Sequence, residues 1–140
     1  TGLFFLALTL GRFSGSVILT WMSPRKFFVA TSILSIVGLA GLFIPNGSVA
    51  AASFLLAGLG FANVFPLAFS ITVDSTPQYT NEISGLMVTA IVGGAILPPL
   101  MGLVSDHSTV QLGFLVPIAA MVYIAWTAFL NLKPRRQELA

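Results

Sequence analysis

Residues 49–73 read VAAASFLLAGLGFANVFPLAFSITV and contain no charged side chain. About 20 helical residues cross the roughly 30 Å of hydrocarbon in a bilayer, so this stretch is long enough to span a membrane. It does not alternate between polar and apolar positions, as a membrane β-strand does over about 10 residues. The stretch therefore predicts a transmembrane α-helix and decides the class of the whole fold.

Four further stretches have the same character and are separated by short loops rich in Pro, Gly, Asn, Asp or Ser: 3–22, 27–44, 83–104 and 112–132. The composition agrees, because 56% of the 140 residues are hydrophobic and only 7% are charged, against about 25% in soluble domains. The mean hydropathy is +0.99. We predict an all-α integral membrane protein with five transmembrane helices and a surface that mostly contacts the lipid bilayer.

The basic residues predict an orientation. Five of the six Lys and Arg residues fall on one side of this topology: Arg25, Lys26, Lys133, Arg135 and Arg136. The opposite loops, 45–48 and 105–111, contain neither residue type. Loops on the cytoplasmic side of a membrane carry an excess of Lys and Arg. We therefore expect a multi-pass protein of the cell membrane whose cytoplasmic parts are the loops 23–26 and 74–82 and the tail 133–140.

Arg12 is the charged residue nearest the middle of a predicted span. An arginine at the bilayer centre costs about 2.5–3.5 kcal/mol on insertion scales, so it should face a cavity or a partner rather than lipid. Two interpretations stay open, a substrate-cavity or ion-pair residue and a structural residue bonded to carbonyls of a neighbouring helix. Gly11 and Gly15 flank Arg12 in a GxxxG pattern, which predicts close packing of another helix.

Bends are predicted in the third and fourth spans. Pro66 removes a backbone donor and clashes with the carbonyl of residue 62, and Asn63 beside it could bond a ligand or another helix. In the fourth span the pattern that predicts a bend consists of Gly93, Gly94, Pro98 and Pro99, with Thr89 one turn earlier. Transporters place substrates at bent helices in mid-membrane. We therefore take Arg12, Asn63 and Thr89 as candidate substrate-cavity residues.

The second and fifth spans carry no formal charge, and they are interpreted as outer helices that face lipid. The residues that would support catalysis are missing from the sequence, because it has no cysteine, one histidine, and no phosphate-binding Gly loop or HExxH motif. Ser105, Asp106 and His107 are adjacent on a short loop and cannot aim at one another as a triad must. We expect no enzyme, no cofactor, no metal and no nucleic-acid partner.

The sequence resembles the C-terminal half of a major facilitator superfamily transporter, in particular the fucose:proton symporter family of sugar transporters. Residues 83–85 and 91–106, which include Leu97-Pro98-Pro99, are similar to that family's eleventh helix. Residues 11–15 resemble its eighth helix, and Phe65-Pro66 with Phe69-Ser70 resembles its tenth. At Val64 and Phe65 the chain departs from the hydrogen-bonding side chains expected of sugar carriers before the tenth-helix proline.

The resemblance implies a twelve-helix protein with two six-helix halves and alternating access, of which this chain supplies helices eight to twelve. Helices eight, ten and eleven then lie nearer the cavity. Its implied partners are a small-molecule substrate, in the first place a sugar moved with a proton, and the N-terminal helices, which carry the proton-coupling carboxylates. A start at Thr1-Gly2 without Met agrees with a fragment. Alternatives are a carrier of a drug or organic anion, and a non-transporting membrane sensor or scaffold.

Overall fold

The computed structural model describes residues 2–132, in which the regular structure is helical. The elements in chain order are α1 (Gly2–Ile18), α2 (Pro24–Gly41), α3 (Gly47–Phe61), α4 (Val64–Ser75), a 3-10 turn (Pro77–Tyr79), α5 (Thr80–Gly94), α6 (Leu97–His107), α7 (Val110–Gly113) and α8 (Leu115–Leu130). This confirms the predicted all-α class over the described range. The predicted cytoplasmic tail 133–140, with Lys133, Arg135 and Arg136, lies outside the described residues.

Three helical stretches in this part of the chain are long and apolar enough to cross a membrane: Gly47–Ser75, Pro77–His107 and Val110–Leu130. The helix α1 is apolar and has 17 residues, so at about 1.5 Å per residue it is about 26 Å long. Hydrogen-bonded turns continue it to Met22, whose N–H donates to the Ile18 carbonyl at 3.0 Å. The division of the chain into five spans stays a prediction.

The first long stretch is interrupted between α3 and α4, at Ala62 and Asn63. Pro66 is the third residue of α4, and it has no N–H to donate to the Ala62 carbonyl four residues earlier. The helical bonds resume at Leu67, whose N–H donates to the Asn63 carbonyl at 3.0 Å. The interruption therefore lies at the carbonyl that the proline leaves without a helical donor.

The other two long stretches are interrupted by the same mechanism. The helix α5 ends at Gly94 and α6 begins at Leu97, so the break lies between the Gly93-Gly94 pair and the Pro98-Pro99 pair. The break between α7 and α8 lies at Phe114, three residues before Pro117. The sequence analysis did not single out Pro117, although the missing donor to the residue-113 carbonyl is the same signal.

The helix α3 packs between α1 and α2 through small residues on two of its faces. A β-carbon added at Gly11 of α1 would lie 2.6 Å from the Ala62 β-carbon, which leaves no room for a side chain. On the other side, a β-carbon at Gly38 of α2 would lie 2.8 Å from the Ala57 α-carbon, closer still to its backbone nitrogen. Small residues of this kind let helix backbones approach closely in a membrane.

The helix α2 lies at the centre of the described bundle, because it contacts α3, α4 and α8. Its hydroxyl residues Thr31, Ser32 and Ser35 are buried, and each donates to a carbonyl four residues earlier in its own helix. The interpretation of this span as an outer helix that faces lipid said nothing about where these hydroxyls lie, and the structure places them inside the bundle. These side chains face other helices, because a hydroxyl is small enough to fit at a close helix contact. Their donors are satisfied by carbonyls of their own helix.

The stretch from α5 to α6 contributes no buried residue to the described bundle. The helix α5 contacts the 3-10 turn, α4 and α6, and α6 contacts α5, α7 and α8. The large apolar side chains of the stretch from α5 to α6 are exposed, as at Leu86 and Val92 of α5, each of which is 70% accessible. This stretch is therefore held at its ends and shows an apolar surface along its length.

Candidate transport site

Arg12 lies on the exposed side of α1. The buried side of the helix is formed by Ala7, Gly11 and Gly15, which pack against α3 and Asn63, and Arg12 flanks it. Among the described residues Arg12 makes no hydrogen bond and no ion pair, and α1 contacts no element other than α3. Because a guanidinium left against lipid at mid-span carries a large cost, this exposed side of α1 is a candidate surface for a polar ligand or partner.

Two hydroxyl residues share this side of α1 with Arg12. Thr9 and Ser16 lie three residues before and four residues after it, a spacing that places all three on one helix face. Their hydroxyls donate to the carbonyls of Phe5 at 3.0 Å and Phe13 at 2.7 Å, so their oxygens remain available as acceptors. The sequence analysis missed these two residues, although the spacing i, i+3 and i+7 was visible.

Asn63 joins α1 to the break between α3 and α4. Its side chain is 7% exposed, and its Nδ2 atom donates to the Gly11 carbonyl oxygen at 2.8 Å. The contact is tight, because a β-carbon added at Gly15 would lie 2.5 Å from the Asn63 carboxamide. The structure thus places Asn63, Gly11 and Gly15 in one helix–helix contact. Arg12, the residue after Gly11, lies outside this contact.

We expect Asn63→Ala to destabilise the full-length protein by about 0.6 kcal/mol and by no more than about 1.7 kcal/mol, the mean and the maximum measured for interhelical hydrogen bonds in a membrane protein. The reason is the loss of the Asn63 side-chain donor to the Gly11 carbonyl, the hydrogen bond that joins α1 to the α3–α4 break. Thermal unfolding in detergent measures the effect. Asn81→Ala removes the same group from an exposed position on α5 and serves as the control. Equal unfolding temperatures for the two variants would contradict the prediction.

Thr89 lies apart from this contact. It is exposed on α5, its hydroxyl donates to the Gly85 carbonyl at 2.9 Å, and α5 does not contact α1. The structure therefore brings Asn63 beside the segment that carries Arg12, and it leaves Thr89 on a separate helix. Within residues 2–132 no group of three His, Cys, Asp or Glu side chains is arranged to hold a metal ion.

The chain is 36% identical over 135 residues to the putative glucose/galactose transporter of Helicobacter pylori, which covers 91% of this chain and 32% of that protein. It is 32% identical over 123 residues to the glucose/galactose transporter of Brucella abortus, covering 88% of this chain and 30% of the relative. The L-fucose-proton symporter of Escherichia coli is 28% identical over 97 residues, 69% of this chain and 22% of the symporter.

The chain is similar over most of its length to transporters, and one of these relatives, a protein of Yersinia pestis that is 28% identical over 113 residues, is named as a major facilitator (MFS-type) transporter, which agrees with the resemblance seen in the sequence. The chain spans about a third of the length of the glucose/galactose transporters it matches. The names of these relatives describe transport and not catalysis, which agrees with the expectation that this chain is not an enzyme. No protein-family profile matches the chain, and no solved structure matches it. Its long apolar helices and its similarity to membrane transporters show that it is an integral membrane protein.

Proposed function

We propose that this chain is part of the C-terminal half of a secondary active transporter that moves a monosaccharide together with a proton. The observation that carries the proposal is the 36% identity to a putative glucose/galactose transporter over 91% of the chain. The similarity to an L-fucose-proton symporter supports the proton as the coupled ion. In this proposal the chain supplies helices eight to twelve of twelve.

The exposed side of α1 is proposed as one wall of the sugar cavity. The Arg12 guanidinium donates hydrogen bonds, and the hydroxyl oxygens of Thr9 and Ser16 accept them, so together they match a sugar ring whose hydroxyls do both. Asn63 acts by fixing α1 against α3 through the Gly11 carbonyl. Thr89 contributes from the eleventh helix, which turns toward the cavity in the assembled transporter.

The remaining parts of the transport cycle are proposed to lie elsewhere in the protein. The proton-coupling carboxylates belong to the N-terminal helices, which are the partners of this half. The described acidic residues Asp74, Glu82 and Asp106 lie near helix ends and not in mid-span. The chain is oriented in the cell membrane with Arg25 and Lys26 in the cytoplasm, in agreement with the excess of basic residues in cytoplasmic loops.

We expect the full-length protein to accumulate labelled glucose, galactose or fucose in cells that lack their own carriers for these sugars. An inward proton gradient should raise the initial uptake rate at least severalfold, because symport draws on that gradient, and a protonophore should remove the increase. A matched strain carrying the empty vector is the control. Sugar uptake equal to that of the control strain would overturn the proposed substrate class.

An organic-anion carrier is the second candidate, and the specific observation in its favour is that Arg12 has no carboxylate partner among the described residues. An unpaired guanidinium in a cavity binds a carboxylate or phosphate more strongly than a neutral sugar. Competition for uptake separates the two cargoes. Unlabelled sugars should block uptake if the cargo is a sugar, and unlabelled organic anions should block it if the cargo is an organic anion. Partner binding without accumulation of any cargo would instead support a membrane sensor or scaffold.

A further inference from the structure

A groove of about 500 Å³ lies between α2, α4 and α8, and no residue of α1, Arg12 included, lines it. Along α4 it extends from Val64 to Ser75 and Thr76. Eleven helical steps of about 1.5 Å give it a length of about 16 Å along this wall, which is about half of the roughly 30 Å hydrocarbon core. The groove therefore has the depth of one bilayer leaflet.

The polarity of the groove changes along its length. Its inner walls are apolar and are formed by Phe28, Val64, Phe65, Ala68, Ile71, Ile124 and Ala128. Its polar groups gather at one end, where α2 begins and where α4 and α8 end, and they include Arg25, Ser75 and Asn131. A cationic mouth above an apolar channel complements an amphiphile with a negative head and a hydrocarbon tail. It does not complement a sugar, which has hydroxyls on every side.

Arg25 is held in place at this mouth. Its Nη1 atom donates to the Asn131 carbonyl oxygen at 2.7 Å, and its Nη2 atom donates to the Ser75 hydroxyl at 2.9 Å. A guanidinium has five N–H donors, so three remain for a further acceptor. No carboxylate among the described residues forms an ion pair with it. The arginine is thus preorganised by two helix ends and keeps both its charge and most of its donors.

We propose that this groove binds one anionic phospholipid, with the phosphate on Arg25 and an acyl chain between α2, α4 and α8. Basic pockets between transmembrane helices are known binding places for anionic headgroups. The match in depth to one leaflet favours a lipid that is already present in the membrane over a soluble phosphate. The site is separate from the Arg12 wall, so this inference does not depend on the cargo.

Native mass spectrometry of the purified full-length protein tests the proposal, with phosphatidylglycerol and phosphatidylcholine offered at equal concentrations. We expect one phosphatidylglycerol to bind preferentially. Arg25→Gln should lower its apparent affinity at least about fivefold, because it removes the charged donors that bind the phosphate directly. Ala68→Phe should reduce binding of both lipids, because a phenyl ring at this half-buried wall position fills the apolar part of the groove.

Lys26→Ala is the matched control, because it removes one positive charge from the adjacent, exposed position. We expect it to leave the affinity for phosphatidylglycerol within twofold of the unmodified protein. A fivefold loss with Lys26→Ala as well would overturn the site in favour of a general attraction to a basic surface. Unchanged binding in both Arg25→Gln and Ala68→Phe would also overturn it, provided that both variants elute as folded protein in size-exclusion chromatography.

Discussion

Gly38→Leu is expected to remove most of the folded full-length protein from the membrane. A side chain at residue 38 has no space, since even its β-carbon would lie 2.8 Å from the α-carbon of Ala57, which is itself 1% exposed. The obstacle is backbone, which cannot move aside as a flexible side chain can. Overpacking of a well-packed contact typically costs about 1–3 kcal/mol, and four heavy atoms against a helix backbone exceed this range. Fluorescence-detected size-exclusion chromatography measures the remaining monodisperse protein.

Gly47→Leu is the control for this prediction, because it introduces the same side chain at a position with nothing within 4 Å. Gly47 is exposed at the start of α3, so we expect its variant to retain most of the monodisperse peak. Gly38→Ala should fall between the two variants. A Gly38→Leu peak equal to that of Gly47→Leu would show that α2 and α3 do not pack as described.

Arg12→Ala is expected to lower the initial rate of sugar uptake more than tenfold while membrane abundance stays normal. A hydrogen bond to a charged group contributes about 1.5–3 kcal/mol, and about 1.4 kcal/mol corresponds to a factor of ten. Removal of Arg12 should not destabilise α1, because Arg12 is exposed and the buried contacts of α1 are made by Ala7, Gly11 and Gly15. Uptake kinetics and quantitative immunoblotting in the same cells check both parts of the expectation.

Arg12→Lys and Lys26→Ala are the companion variants. Arg12→Lys keeps the charge but loses the planar, forked set of donors, so we expect uptake between those of Arg12→Ala and the unmodified protein. Lys26→Ala removes a positive charge outside the candidate wall and should leave uptake unchanged. If Arg12→Ala transports within twofold of the unmodified protein at equal abundance, Arg12 is not a cavity residue.

Local features of the backbone could be predicted from the sequence because their causes lie within a few residues. The break after Gly94 falls between two pairs that the sequence singled out, and the break at Asn63 lies just before Pro66. In each case proline removes a hydrogen bond to a carbonyl four residues earlier, whatever the surroundings. The same rule applied to Pro117 would have located the break at Phe114.

Contacts between distant residues could not be predicted in the same way. Nothing near Asn63 in the sequence indicates that its carboxamide bonds the Gly11 carbonyl 52 positions away rather than a ligand. Thr31, Ser32 and Ser35 were similarly ambiguous, because a hydroxyl that bonds its own helix is tolerated both toward lipid and inside the bundle. Their burial depends on the shape of α3, whose Gly60 lies against Ser35.

The sequence by itself determined that the chain is α-helical and lies in a membrane. Long uncharged stretches must satisfy every backbone N–H and C=O internally once water is excluded, and an α-helix does so within one segment. Only the tertiary structure decided which helices meet, so that the Gly11 and Gly15 side of α1, which the sequence marked for close packing, lies against α3 and Asn63. The physical reason is that lipid is as apolar as a helix surface, so close packing and interhelical hydrogen bonds select the contacts, not hydrophobicity.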